Sequence, residues 1–455
     1  MVASGKVIDL RLERPLRFDA LYRRELLYRS VLSLYTKALF VRSKARCTSW
    51  DGGNLYQFAF RGENEISQLH HELCAHAFAF SPAKPLRIKR NDKERIVYIW
   101  PWRERVVDLM LYQMLNSHLD TRFSRNVFAF RWHGYGIDRC QKRIERYIAL
   151  HGDTPLYLLK RDVSNCFPSI SHQVLGNVLE ELSTEDDYLY KLLKQHIAFS
   201  FFEQDGTART ATQGVPFGAP TACLLANLSL LPFDDALASL PNALYSRYAD
   251  DMLFLTPDKG IAMEARDRFQ NVFDSLDLVS KEAASINALF ARQGSGEDAD
   301  FASMTGVKHL GIYFSPGGKT SLSTDKQRKI CQLFRRRFGA LTRVLDRQET
   351  ALKRAGILCR AARNMLERQQ SPVAIIDYYL KHVNDIRQLQ LMDRWLAEEV
   401  LARSLRNGHK KGNFRKITFQ QLREMGLPSL LHRRRLLVHS HLDTSFINWK
   451  NPFPR

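Results

Sequence analysis

The sequence predicts an α+β fold, because short apolar strands ending in aspartates occupy its middle while the apolar spacing beyond Ser321 becomes helical almost throughout. A third observation bears on the surface: 68 Lys and Arg against 48 Asp and Glu give a net charge of +20, which favours polyanionic partners and salt-sensitive association. At 455 residues the chain is long enough for several lobes. With 45% hydrophobic and 25% charged residues it can build their cores.

Each element follows from local pattern. From Leu21 to Phe40 apolar residues recur with helical spacing among arginines, which predicts a basic N-terminal helix. Between Lys84 and Ile99 cationic residues alternate loosely with apolar ones around Asn91-Asp92, a turn-forming pair, so a basic β-hairpin is expected, followed by a helix over Trp102 to Leu119. Leu156 to Val163 reads as a buried strand, Ser171 to Leu182 as a helix, and Thr221 to Leu240 as one helix opening after the turn residues Gln213 to Pro220. Leu244 to Tyr248 and Met252 to Thr256 flank the polar pair Asp250-Asp251 as two antiparallel strands flank a tight turn. A helix over Ile261 to Leu276 and a strand over Lys308 to Phe314 complete the middle of the chain.

In the helical part, Ile330, Leu333, Phe334, Phe338, Leu341 and Val344 line one face, with Arg335, Arg336 and Arg337 on the others. A second helix is expected over Glu349 to Arg368. Ser371-Pro372 starts a third, Val373 to Leu405, which Asn407-Gly408 ends. The remainder from Lys410 to Arg455 is basic and reads as a small RNA-binding module.

No stretch approaches the roughly 20 apolar residues of a membrane span, and Met1 to Arg17 carries charges where a signal peptide needs an apolar run. Seven scattered cysteines, none spaced as Cys-x-x-Cys, suggest neither a disulfide framework nor a zinc site. A cytoplasmic protein that binds nucleic acid rather than membrane is the expectation.

The candidate chemistry lies in Asp162, at the end of an apolar strand, and in Asp250 and Asp251, at a hairpin tip. A lone Asp after a strand is ordinarily a cap and Asp-Asp in a hairpin ordinarily a turn. Three carboxylates delivered together by rigid strands are different: they repel unless cations sit between them. Two oxygen-ligated metal ions about 4 Å apart would resolve that repulsion and would suit in-line nucleotidyl transfer.

Tyr248-Ala249-Asp250-Asp251 followed by Met252-Leu253-Phe254-Leu255 resembles the catalytic hairpin of reverse transcriptases, and the order of motifs from about Lys84 to Phe314 is similar to that family. Asp162-Val163-Ser164-Asn165-Cys166-Phe167 resembles its first catalytic strand, and Gln213-Gly214-Val215-Pro216-Phe217-Gly218-Ala219-Pro220-Thr221 its template grip. Lys308 to Phe314 is similar to the primer grip. Phe128-Ala129-Phe130-Arg131 with Gly134 and Gly136 resembles a second finger motif, in which Trp132-His133 replaces the usual Pro-Gly.

The resemblance implies a right-hand polymerase: residues 1–75 an N-terminal extension, 76–150 fingers, 151–320 a palm built on an antiparallel sheet, 321–407 an α-helical thumb and 408–455 a C-terminal module. It implies that Asp162, Asp250 and Asp251 bind two Mg2+ ions, with Mn2+ as a substitute. It implies that Lys89 and Arg95 hold the incoming triphosphate, that Phe167 lies under the sugar and selects deoxynucleotides, and that Gln213 and Gly214 contact the nascent base pair. dNTPs, an RNA template and a DNA product are the implied partners. No ribonuclease H or integrase pattern follows the thumb region, and Met304-Thr305-Gly306 is offset from where a retron enzyme would carry Val-Thr-Gly. The layout is most similar to defence-associated, abortive-infection reverse transcriptases. That implies a dedicated non-coding RNA and antiviral activity, and leaves open protein priming, homo-oligomerisation or a partner protein. Template-independent DNA synthesis, a retron or intron type, and a non-enzymatic RNA-binding or maturation factor are the alternatives.

Overall fold

A computed structural model describes residues 24–39, 47–90, 93–131, 135–182, 187–294, 298–367, 373–410 and 412–439. Met1 to Arg17, Asn91-Asp92, Trp132-His133, Gly134, Ser371-Pro372 and the end of the C-terminal module lie outside them. The chain divides into two compact units, one of residues 1–140, 156–289 and 299–302, the other of residues 141–155, 290–298 and 303–455.

In the first unit the basic hairpin forms as expected, with β1 (Lys84–Arg90) antiparallel to β2 (Lys93–Ile99). The helix Trp102–Leu119 follows. A central sheet then gathers β3 (Leu156–Asp162), β6 (Leu244–Tyr248), β7 (Asp251–Thr256) and β8 (Ile286–Phe290) in the order β6-β7-β3-β8, while β4 (Ser200–Phe202) and β5 (Ala208–Thr210) make a separate hairpin. Leu158, Leu159 and the run Met252 to Leu255 are fully buried, so β3 and β7 are anchored from both faces. Helix Lys259–Ser275 covers one face through Ala262, Ala265 and Phe269.

The expected single helix over Thr221 to Leu240 is instead two, Pro220–Ser229 and Leu231–Ala238, bent by 41°. Pro232 is the cause: its ring removes an amide donor and crowds the carbonyl one turn back, so the helix restarts.

In the second unit the strand expected over Lys308 to Phe314 is a hairpin, Val307–His309 paired with Ile312–Ser315, and Lys319–Leu322 extends the sheet. Leu310 and Gly311 both take positive φ, 50° and 89°, as a two-residue hairpin turn requires. The helices Thr324–Gly339, Ala351–Glu367 and Ile386–Leu405 bury Phe334, Phe338, Leu358, Leu389 and Leu396. The expected face of the first holds at Ile330, Phe334 and Phe338, but the helix stops at Gly339, Leu345 is buried instead and Val344 is exposed. The third expected helix is split into Val373–Leu380 and Ile386–Leu405. Between them the amides of Asn384 and Asp385 donate to the Thr320 carbonyl at 3.0 and 2.9 Å, and the Asp385 side chain caps the new helix at Gln388.

Candidate active site

Register brings the carboxylates together. β3 and β7 pair so that Asp162 lies directly opposite Asp251, which puts both on one face of the sheet, and Asp250 occupies the turn just before. That turn is tight: Tyr248 pairs with Asp251, leaving Ala249-Asp250 between them, and Ala249 takes a left-handed φ of 58°. A non-glycine residue there costs on the order of 1 kcal/mol, which the surroundings must hold in place.

Arg247 does the holding. Its side chain is wholly buried and pairs with Asp234 at 2.5 Å, while one guanidinium nitrogen donates to Asn227 Oδ1 at 3.0 Å and to the Ala249 carbonyl at 3.3 Å. Asn227 in turn donates to the Ala129 carbonyl at 2.7 Å, and Tyr245 Oη donates to Asp234 at 3.0 Å. The catalytic-type turn therefore sits on a satisfied polar network in a dry core.

The Asp250 carboxyl is perturbed upward. Burial, then the neighbouring Asp162 carboxyl within hydrogen-bonding reach, push its pKa up to about 6. Asp162 Oδ2 accepts from Lys281 Nζ at 3.2 Å, and Lys160 Nζ lies 3.3 Å from Asp251 Oδ1. Beneath them the buried Cys166 thiol is pushed up to about 12 by its own burial and by Asp250, so it stays protonated.

The donor set fits a hard divalent cation: all oxygens, with a crowded Asp162 and Asp250 pair whose repulsion a cation would relieve. Among the described residues no three His, Cys, Asp or Glu side chains are grouped closely enough to hold one ion. A magnesium ion commonly takes only one or two carboxylates, the rest of its shell coming from water and substrate phosphates.

This crowding has a measurable consequence. An acid whose pKa is raised from 3.8 to about 6 by folding adds nothing below pH 4, and its ionisation progressively destabilises the fold as pH rises to 6 and beyond. Asp250→Asn should therefore leave metal-free stability unchanged near pH 4 and raise it above pH 6, by about 3 kcal/mol at most. Added magnesium should narrow the gap by stabilising the parent alone. Thermal unfolding against pH, with and without the ion, measures both; a gap independent of pH would refute the assignment.

The remaining expected residues take the following positions. Phe167 stands in the one-turn helix Cys166–Ser169 that directly follows β3, and it is half-buried. Gln213 is exposed and its amide donates to the Ser169 carbonyl at 3.2 Å. Gly214, at φ 82°, packs against its own chain: a Cβ there would come within 2.9 Å of the Pro168 carbonyl, so this glycine fits the loop to residues 167–168.

Lys89 and Arg95 do not share a face. The register sets Lys89 opposite Glu94 and Ile88 opposite Arg95, so alternation turns Arg95 to one side of the hairpin and Lys89 to the other. Arg95 lies over the Phe217 ring, 5.8 Å from its centroid, which places it on the side of the grip loop.

A second buried cluster ties that loop to the hairpin's base. The Thr221 hydroxyl meets both Asp108 and His196, His196 lies 3.0 Å from Asp108, and its ring stacks on Trp100 at 5.4 Å.

The carboxylate hairpin, the preceding strand and the glycine loop thus converge in one unit, in the chain order of a known family. Residues 87–283 match the family model described as reverse transcriptase (RNA-dependent DNA polymerase). They are a reverse transcriptase domain. The chain is 28% identical over 195 residues to the retron Ec83 reverse transcriptase of Escherichia coli, covering 42% of this chain and 58% of that protein. It is 26% identical over 184 residues to the putative COX1/OXI3 intron 2 protein of Saccharomyces cerevisiae, covering 38% of this chain and 20% of that one. Both matches stop short of two thirds of the relative's length. Among solved structures, apo telomerase from Candida tropicalis is similar with a TM-score of 0.46 at 12% identity, over 81% of this chain and 68% of that one.

Proposed function

We propose that the protein is an RNA-directed DNA polymerase that adds dNTPs to a 3′-hydroxyl. The observation that carries this reading is the Asp162 and Asp250 carboxyl pair, crowded at the end of β3 beside Asp251 in a reverse transcriptase domain. Asp162 and Asp250, with Asp251 adjacent, would hold Mg2+, or Mn2+ in its place. Two such ions, when bound, supply a lowered pKa for the attacking hydroxyl and charge compensation on the leaving pyrophosphate. Lys281 and Lys160 are the cations nearest the aspartates in the free protein, and they neutralise the site before it is loaded. In this reading Arg95 would meet substrate phosphates and Phe167 would lie against the sugar; the contact of Arg95 with the Phe217 ring supports the first role.

Primer extension on an RNA template with dNTPs, and in parallel with rNTPs and without template, tests the reading. Template-dependent DNA synthesis is expected; synthesis without template, or from rNTPs alone, would replace it. Phe167→Ala should raise ribonucleotide use relative to deoxynucleotide use by roughly 10-fold or more, since an open wall no longer excludes the 2′-hydroxyl. An unchanged ratio of kcat/KM values would place the gate elsewhere.

The template proposed is a dedicated non-coding RNA, bound through the basic surface of a chain with net charge +20, in a cytoplasmic antiviral system. Seven free cysteines suit a reducing compartment. A retron or intron-type enzyme is the second reading, favoured by the two relatives named above. Sequencing the nucleic acid that co-purifies with the protein separates the two: one recurrent non-coding RNA unlinked to a covalent DNA or an intron supports the first.

A further inference from the structure

We propose that Phe217 is a positioning residue that sets sugar selectivity by fixing the ring of Phe167, an inference that rests on the polymerase reading above. The two rings meet edge to face, 5.0 Å apart between centroids and inclined at 72°, and both are half-buried beside the aspartates' strand end. Phe217 is itself held from two sides. Its carbonyl accepts from the Tyr98 amide at 2.8 Å, and its ring faces the Arg95 guanidinium at 5.8 Å. The neighbouring Gly218 takes φ 118°, and a Cβ there would strike Val97, so the loop approaches β2 too closely for any side chain at this point.

Phe167 needs such a brace. It stands on a helix of one turn, Cys166–Ser169, entered through Asn165 in the left-handed region at φ 47°. Its carbonyl is fixed by the Val215 amide at 2.9 Å, but that bond leaves the ring torsions free. Steric exclusion of a hydroxyl works only when the wall cannot turn aside. The edge of Phe217 removes the rotamers by which it would.

The arrangement also links hairpin and gate: Arg95 on β2, Phe217 in the glycine loop and Phe167 after β3 form one run of contacts drawn from three segments distant in sequence. A nucleotide whose phosphates draw Arg95 would act on the gate through the ring between them.

The test is the ratio of kcat/KM for a ribonucleotide to that for the matching deoxynucleotide. Phe217→Ala should raise it roughly 3- to 10-fold, the range that loss of one aromatic pair permits. Phe217→Leu, which keeps most of the volume and loses the aromatic edge, should move it the same way and carries the test if the alanine variant does not fold. Phe217→Tyr should restore the parent ratio. In a Phe167→Ala background, Phe217→Ala should add nothing further. An unchanged ratio in Phe217→Leu, or independent effects of the two substitutions, would overturn the proposal while leaving the polymerase reading intact. A parent protein that incorporates no dNTP would overturn both.

Discussion

Asp250→Ala and Asp162→Ala are each expected to lower primer extension by about 10^3-fold or more while RNA affinity stays within about 2-fold of the parent. The asymmetry follows from where each function resides. In the proposed function, incorporation would depend on cation binding between two carboxyls already crowded enough to push Asp250 up to about 6. Removing either carboxyl abolishes that pair, and among the described residues no group of three or more His, Cys, Asp or Glu side chains stands in for it. RNA affinity depends instead on arginines and lysines spread over the surface, whose phosphate contacts are numerous and individually weak. Filter binding and single-nucleotide extension on the same preparations read the two effects. Undiminished extension by Asp250→Ala would remove the chemical basis of the proposed function, and a parallel collapse of RNA binding would mean the substitution had unfolded the domain. Asp251→Ala should also remove the carboxylate that lies 3.3 Å from Lys160 Nζ, so the site loses an ion pair together with a ligand.

What the sequence made legible was set by local periodicity. β3, β6 and β7 lie within a residue of the expected bounds because apolar runs of five to seven residues bounded by polar ones have few other solutions. The breaks went unread where one residue decides. Pro232 and the Leu310-Gly311 turn each carry a backbone signal, outweighed by the continuous hydrophobic pattern around them. The face on which Lys89 and Arg95 project required the hairpin register, which the sequence of the two strands does not reveal until their pairing is known. Phe217 was legible as part of a Gly and Pro loop but not as the neighbour of Phe167, since 50 positions separate the two and only the fold closes that gap. Arg247 offered a clue of a different kind: an arginine inside an otherwise apolar strand is rare enough to demand a partner. The partner, Asp234, lies 13 residues away on a helix whose facing depends on the break at Pro232.

That buried pair yields the largest expected effect on stability. Arg247→Met should destabilise the domain by about 3–5 kcal/mol, because Asp234 would be left as a buried carboxylate with Tyr245 Oη as its remaining side-chain donor among the described residues. Asp234→Leu should cost a similar amount by stranding the guanidinium. The double substitution Arg247→Met with Asp234→Leu removes both charges together, so most of the loss should return, as apolar replacement of buried ion pairs generally permits. Activity should not return with it. The Ala249 carbonyl and Asn227 Oδ1 both lose the donor that holds the left-handed turn beneath Asp250, so the carboxyl pair is no longer fixed. Urea unfolding and primer extension on the four proteins separate the two roles: stability and activity recovering together in the double variant would reduce Arg247 to a packing element. Stability recovering alone would identify the guanidinium as the support of the catalytic turn.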